Sequence, residues 1–571
     1  MALESESLMT DPIPGFQIFN PAGLDPELGL GLRELDQDGV IRRLWSRDWT
    51  VWKAEDREIS NRLGWLDAPG EEMPAVAGIE DFVASVREVG ISRAVVLGMG
   101  GSSLAPDVFA RMFPTAPGGL DLEVLDTTEP GAVAEAGARL DVRRTLFVVS
   151  SKSGTTAEVL ALLAYFCDRA RGELGGGHAG SRFIAITDPG TPLEGLAREL
   201  QFRRVFAGRP DIGGRFSALS AFGLVPAALK GIDLGRLLAS AAAAAGACRR
   251  EPAHDNPGAL LGTILGTAAR KGMDKLTFLM PPRLRPLAGW LEQLVAESTG
   301  KEGQGILPVI EDRPGPGEGY GADRLFVEVG PSEAPAPKSG PGASGGSASA
   351  RLRFSIDDPY ELAGHFFLWE FATAVAGRFL GVNPFDQPDV ESTKKKTRQL
   401  LAAPVPAPAA RPEFRRGLRV VGTGPEESPD AALARFLGGG VEGDYIALLA
   451  FLPKRPAVEE LLSGLAAGLR FKTRLPVTVG FGPRYLHSTG QLHKGDGNRG
   501  LFLMLTAAGL QGVGIPVVRD IPRPAEDFSA LFGAQAEGDR LALAEKGRRV
   551  LTLELSAPVE TGLAALSAFL G

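Results

Sequence analysis

The chain is poor in residues that build several common kinds of site. Its 571 residues include two cysteines, Cys167 and Cys248. That is too few for a disulfide framework or a thiolate metal cluster, and their scarcity suits a reducing cytoplasm. Five histidines are present and none forms an HExxH pair. Basic residues are not in excess: 61 Lys and Arg face 69 Asp and Glu, for a net charge of −8. This balance argues against a nucleic-acid-binding face as the main function, but leaves room for a local basic pocket around an anion. No apolar run is long enough to span a bilayer. The best, LLASAAAAAGAC within 237–248, is short and alanine-rich, so no membrane partner is expected. The acidic start MALESESLMTDP has no basic region followed by an apolar core, so a secretory signal is not expected and the cytoplasm is the expected location.

What is abundant is glycine (74) and proline (43), set between short apolar runs. The length calls for several domains. Residues 1–75, rich in tryptophan at Trp45, Trp49, Trp52 and Trp65, read as a helical arm packed on the main body from the spacing of Leu44, Trp45, Trp52, Ile59 and Leu63. From residue 79 the grammar changes. AVVL (94–97), TLFVV (145–149) and FIAIT (183–187) each end in a Gly/Ser/Asp loop followed by a helix. Fully apolar strands followed by helices predict an α/β fold built on doubly wound parallel sheets. The pattern restarts after an Ala-rich helix near 235–250, with strands at 275–280, 325–329, 351–356, 444–452, 476–481 and 501–506, and helices at 284–298 and 359–380. The expected organisation is an arm (1–75), a first domain (76–235) and a second domain (255–571) carrying an insertion around 402–480. The Pro/Gly/Ser-rich stretches 331–350 and 402–412 read as linkers.

Two loops stand out at strand ends, where parallel sheets place their ligands. Gly98-Met99-Gly100-Gly101-Ser102 offers bare backbone N–H groups at a helix start. It lacks the third glycine of GxGxxG and the GK[ST] of a P-loop. Ser151-Lys152-Ser153-Gly154-Thr155-Thr156 gathers hydroxyls, an ammonium and a helix start into six residues, more than one cap needs, and predicts a phosphate cradle. With no dinucleotide fingerprint following, NAD is not expected.

These loops, in this order, resemble a sugar-isomerase (SIS) domain, and further segments resemble the phosphoglucose isomerase family. Asp211-Ile212-Gly213-Gly214-Arg215-Phe216-Ser217 is similar to its GGRFS signature. Gln293 through Lys301 (QLVAESTGK) is similar to its QxxxESxGK segment, Asn383 through Lys394 (NPFDQPDVESTK) to its NPFDQPGVExGK segment, and His487 through Leu492 (HSTGQL) to its histidine segment. The resemblance implies two SIS-type domains and an isomerase of glucose 6-phosphate and fructose 6-phosphate. In the family the histidine segment precedes the QPGVExGK segment. Here it follows by about a hundred residues, an order that resembles the isomerase half of transaldolase–phosphoglucose isomerase fusions. The family histidine comes from a second subunit, so the resemblance also implies a homodimer.

Aldose–ketose isomerisation needs a phosphate anchor, an acid/base pair to open the sugar ring, a carboxylate to move a proton between C2 and C1, and a cation for the enediolate. It requires neither metal nor redox cofactor. The resemblance gives Glu297 as the base and Arg215, always charged and planar, as the enediolate partner. Ser102, Ser151, Ser153, Thr155 and Thr156 would hold the phosphate with Lys152, and Gly101 and Gly214 would line the substrate. Gln293, one helical turn before Glu297, and Gln387 would bind sugar hydroxyls. Ring opening would fall to Lys394 and a histidine. His487 has the family spacing, His493 is a second candidate, and His365 sits in an apolar helix suited to a core role. Two alternatives stay open: isomerisation of mannose 6-phosphate as well, and a non-catalytic module that senses a sugar phosphate.

Overall fold

The computed structural model describes residues 16–19, 24, 26–315, 320–333, 350–402, 413–422 and 427–570. The two linker stretches lie outside the described residues except at 331–333, 350 and 402. The described residues form three five-stranded sheets. The arm opens with β1 (Gln17–Phe19). The first sheet holds β2 (Arg93–Gly98), β3 (Asp121–Leu125), β4 (Thr145–Ser150), β5 (Phe183–Thr187) and β6 (Arg204–Ala207), all parallel, in the order β3-β2-β4-β5-β6. Its central strands are buried along their length, as continuous Val/Leu/Ile/Phe runs require when helices cover both faces.

The second sheet joins β7 (Lys275–Leu279), β8 (Leu307–Ile310), β9 (Arg324–Gly330) and β10 (Arg351–Ser355) in parallel, with β1 antiparallel at its edge. The third comprises β11 (Leu418–Val421), β12 (Tyr445–Phe451), β13 (Val477–Phe481), β14 (Gly500–Ala507) and β15 (Arg549–Leu555), parallel except for β11. The α/β class with parallel sheets is therefore what the strands form. Residues 255–571, read from the sequence as one domain with an insertion, carry two of the sheets. The stretch 402–480 supplies β11, β12 and most of β13 to a sheet with its own apolar core around Leu448, Leu462, Leu503 and Leu553. It is part of a layer, not an appendage.

The arm braces the body through its tryptophans. Trp52 donates its indole N–H to the Ala374 carbonyl at 2.7 Å and packs edge-on against Phe385. Trp65 stacks at a tilt on Phe216. Each aromatic partner lies next to a predicted site residue, Asp386-Gln387 on one side and Arg215 on the other, so the arm backs both loops.

Candidate active site

In the first sheet the winding direction reverses between β2 and β4, the place where a doubly wound sheet opens a crevice. The two loops singled out in the sequence follow these two strands. Gly100 has φ +57°, a left-handed conformation that glycine adopts without strain. A Cβ there would lie 2.9 Å from the Gln293 amide nitrogen and 3.1 Å from the His487 Cβ, and a Cβ on Gly101 would lie 2.0 Å from the Gly214 carbonyl. Three segments far apart in sequence thus converge on this loop, and only side-chain-free residues let them close.

Glu297 arrives from a different direction than the carboxyl-end rule suggests. Its helix, Arg285–Thr299, crosses from β7 to the parallel strand β8. It therefore runs back along the sheet and delivers its last turn beside the amino end of β8. Gln293 donates from Nε2 to the Glu297 carboxylate at 3.0 Å and to the His487 carbonyl at 2.8 Å. Its Oε1 is buried with no partner among the described residues, an acceptor left for a ligand hydroxyl.

Arg215 is 3% exposed and held on three sides. Nε donates to Ser298 at 2.7 Å, Nη2 to the Pro384 and Asp386 carbonyls at 2.6 and 2.8 Å, and Nη1 to the Gln387 amide oxygen at 2.8 Å. Nη1 also stands 3.4 Å from the Glu297 carboxylate. Such a guanidinium is fixed before any ligand arrives, and its one face toward Gln387 and Glu297 is where a developing oxyanion would be met.

In the cradle, Ser151 and Thr156 hydroxyls pair at 2.9 Å, and Ser153 and Thr155 at 3.1 Å. Thr156 precedes the helix Ala157–Leu174, whose first turn carries Glu158. The Glu158 carboxylate meets His487 Nε2 at 2.9 Å. Burial pushes this carboxyl up, but the charge and hydrogen bond of His487 outweigh it and hold Glu158 below its usual range. Lys152 turns its ammonium away, to Asp188 at 2.6 Å and the Arg209 carbonyl at 2.7 Å, so from the cradle it offers backbone and general charge. Replacing Ser153 and Thr156 together by alanine should raise KM for a hexose phosphate by about tenfold or more, since a hydrogen bond to an anion contributes about 1.5–3 kcal/mol. Steady-state kinetics of the double variant check this, and an unchanged KM would place the anion elsewhere.

The histidine alternatives separate clearly. His487 sits in the cleft between Gln293 and Glu158. His493 is buried among Tyr445, Tyr485 and Phe502, with neither ring nitrogen partnered among the described residues. Burial holds it well below its usual range. His365 packs on Phe354, and burial brings it down to about 4. Both are core rings. His487 comes from the loop after β13 and meets Gln293 and Glu158 of its own chain, whereas the resemblance implies that a second subunit supplies it. Lys394 lies on the helix Val390–Ala402. Its side chain is half exposed and pairs with Glu391 at 2.7 Å, so the burial that would make it an easy proton donor is missing. After His487 and the backbone, its charge is the least of the causes that lower Glu158.

Several contributors were not anticipated. Lys301 is 1% exposed and donates to the Asn383 and Asp386 carbonyls and to the Asp386 carboxylate. Burial and then the Arg215 charge bring it down to about 8 against the pull of Asp386. It ties the end of the Glu297 helix to the loop bearing Gln387. Glu292, beside the cleft, accepts from Ser488 at 3.1 Å and is pushed up to about 7 by burial, against Ser488 and Arg484. The folded state thus keeps a proton that the unfolded chain releases above about 4.5, so this group's contribution to stability is full below 4.5 and is lost as pH rises through 7. The melting temperature of Glu292→Gln relative to wild type should therefore climb between these pH values. An offset independent of pH would contradict the assignment. A cavity of about 720 Å³, bordered by Tyr320, Val441, Lys472 and Phe569, lies at the amino ends of β12 and β13 and holds none of the predicted site residues.

A hydroxyl-lined turn at a helix start, a buried carboxylate and a guanidinium fixed by four hydrogen bonds are groups that suit an enzyme handling sugar phosphates. The comparisons narrow it. The phosphoglucose isomerase family model matches residues 84–306. The chain is 31% identical over 395 residues to the glucose-6-phosphate isomerase of Symbiobacterium thermophilum, covering 60% of this chain and 87% of that protein. It is 29% identical over 442 residues to that of Carboxydothermus hydrogenoformans, covering 67% of this chain and 93% of that protein. Its fold is similar to a crystal structure of a glucose-6-phosphate isomerase from Chlamydia trachomatis, with a TM-score of 0.54 at 19% identity over 66% of this chain and 86% of that one. The chain belongs to the phosphoglucose isomerase family.

Proposed function

We propose the following course for the reaction of this chain, the interconversion of glucose 6-phosphate and fructose 6-phosphate. The phosphate docks on the Ser151–Thr156 turn, with Ser102 and the Gly100-Gly101 backbone closing over it. His487, backed by Glu158, and Lys394 exchange the protons that open the ring. The exposed Lys394–Glu391 pair opposes a swing of the lysine into the cleft only weakly, since such pairs contribute about 0–1 kcal/mol. Glu297 then removes the proton from C2, the cis-enediolate rests against Arg215 Nη1, and Glu297 returns the proton to C1. Gln293 and Gln387 bind the sugar hydroxyls. No step calls for a metal or a redox cofactor.

The observation that carries this reading is the bridging position of His487. Its carbonyl holds Gln293, the partner of Glu297, while its ring meets Glu158 in the first turn of the cradle helix. This supports a reading in which base and anion site serve one cleft. The test is a dehydrogenase-coupled assay with fructose 6-phosphate as the only sugar. Formation of glucose 6-phosphate at enzymatic rates is expected. Binding without turnover would instead mark a sensing module. The cytoplasmic location rests on the scarcity of cysteine, and the homodimer on the resemblance alone. Sedimentation equilibrium giving the mass of a single chain would remove the dimer.

A further inference from the structure

The helix Phe528–Glu545 has no part in the reaction above, yet it sends two buried polar side chains into the region of the ring-opening groups. Gln535 and Asp539, one turn apart and so on one face, are 3% and 0% exposed. Gln535 Nε2 donates at 2.7 Å to Glu158 Oε1, the same oxygen that faces His487, while its own Oε1 accepts from Thr128 at 2.6 Å. Asp539 receives the Lys494 ammonium at 2.6 Å, the Tyr485 hydroxyl at 2.7 Å and the Thr393 hydroxyl at 3.3 Å.

The partners of Asp539 are telling. Tyr485 and Lys494 bracket His487 in sequence, on the turn Arg484–His487 and the short helix Gly490–Gly495. Thr393 immediately precedes Lys394 on the helix Val390–Ala402. A Cβ at Gly538 would stand 2.6 Å from the Thr397 hydroxyl, so the two helices touch at the backbone. Burying a Lys–Asp pair costs desolvation that well-packed apolar residues would avoid, so its presence points to a role in register.

We propose that Gln535 and Asp539 are positioning residues for ring opening: Gln535 sets the Glu158 carboxylate against His487, and Asp539 holds the His487 turn and the Lys394 helix at a fixed spacing. This rests on the reading that His487 and Lys394 open the ring. Misplacement of an acid/base group by about an ångström costs on the order of a hundredfold in rate, and only steps that use the displaced groups suffer.

The test compares two substrates. Fructose 6-phosphate is largely cyclic. 5-Deoxyfructose 6-phosphate lacks the hydroxyl that closes the ring, stays open-chain and enters after the opening step. In Gln535→Met and Asp539→Asn, kcat/KM for fructose 6-phosphate should fall on the order of tenfold to a hundredfold, while that for the 5-deoxy sugar stays within about threefold of wild type. Equal loss on both substrates, or loss on neither, would overturn the proposal. Gln535→Met removes no charge and carries the test if Asp539→Asn does not fold. His487→Ala separates the two ways of failing. If it too treats both substrates alike, the ring-opening assignment falls, and with it the proposal. If it alone separates them, only the positioning claim falls.

Discussion

Glu297→Gln should lose about 10²- to 10⁴-fold in kcat for either direction, the range that removal of a general base produces, while substrate still binds. The substitution preserves shape and the ability to accept from Gln293, and leaves the cradle and His487 untouched. What disappears is the one group placed both against Arg215 and within a turn of Gln293 that can take a proton from carbon. Turnover and calorimetric binding of fructose 6-phosphate, measured on the same preparation, separate the two effects. Retained turnover would remove Glu297 from the proton path. Lost binding together with lost turnover would mean that the carboxylate organises the cleft.

Arg215→Met should fall by about 10²- to 10³-fold in kcat, as loss of a preorganised oxyanion donor does. The effect should exceed a simple deletion for a structural reason. The guanidinium also fastens the Pro384 and Asp386 carbonyls and the Gln387 amide, so a modest rise in KM should accompany the loss. Arg215→Lys should recover little, because one ammonium cannot span Ser298, two carbonyls and Gln387 at once. Steady-state kinetics of both variants check this. Near-wild-type kcat in Arg215→Lys would show that charge alone suffices and that the fixed geometry has no part.

Much of this was legible in the residues. The buried strands announced themselves as unbroken apolar runs, and β2, β4, β5, β7, β9, β10, β12, β13 and β14 lie where those runs are. Of the strands missed, β1, β3, β6, β8 and β11 lie at sheet edges, where β3 carries Asp121 and Glu123, β8 contains Pro308, and β6 and β11 each hold an arginine, while β15 lies inside its sheet with its apolar run broken by Thr552 and Glu554. Edge strands need no continuous apolar pattern, because one side meets solvent. The stretch 402–480 was read as an insertion because it intervenes between two family motifs, and the pairing of its strands with β14 and β15 beyond it leaves no local trace.

The proposed cradle, Arg215, Gln293 and Glu297 could be nominated from the sequence because each sits in a short contiguous motif. Glu158 was not. An acidic residue in a first helical turn is the ordinary complement to a helix dipole, and only the fold reveals His487 across from it. Lys301, Gln535 and Asp539 were hidden in the same way, since their partners lie on segments remote in the chain. Lys394 is half exposed because its helix presents that position to solvent.

The central claim is that the hydroxyl-rich turn and Glu297 serve one substrate molecule. A crystal structure of Glu297→Gln soaked with fructose 6-phosphate tests it most directly. The account predicts phosphate density on Ser151, Ser153 and Thr156, with the C1–C2 bond lying between residue 297 and the Arg215 guanidinium. Phosphate bound away from that turn, or a sugar whose C1 and C2 lie out of reach of residue 297, would contradict it.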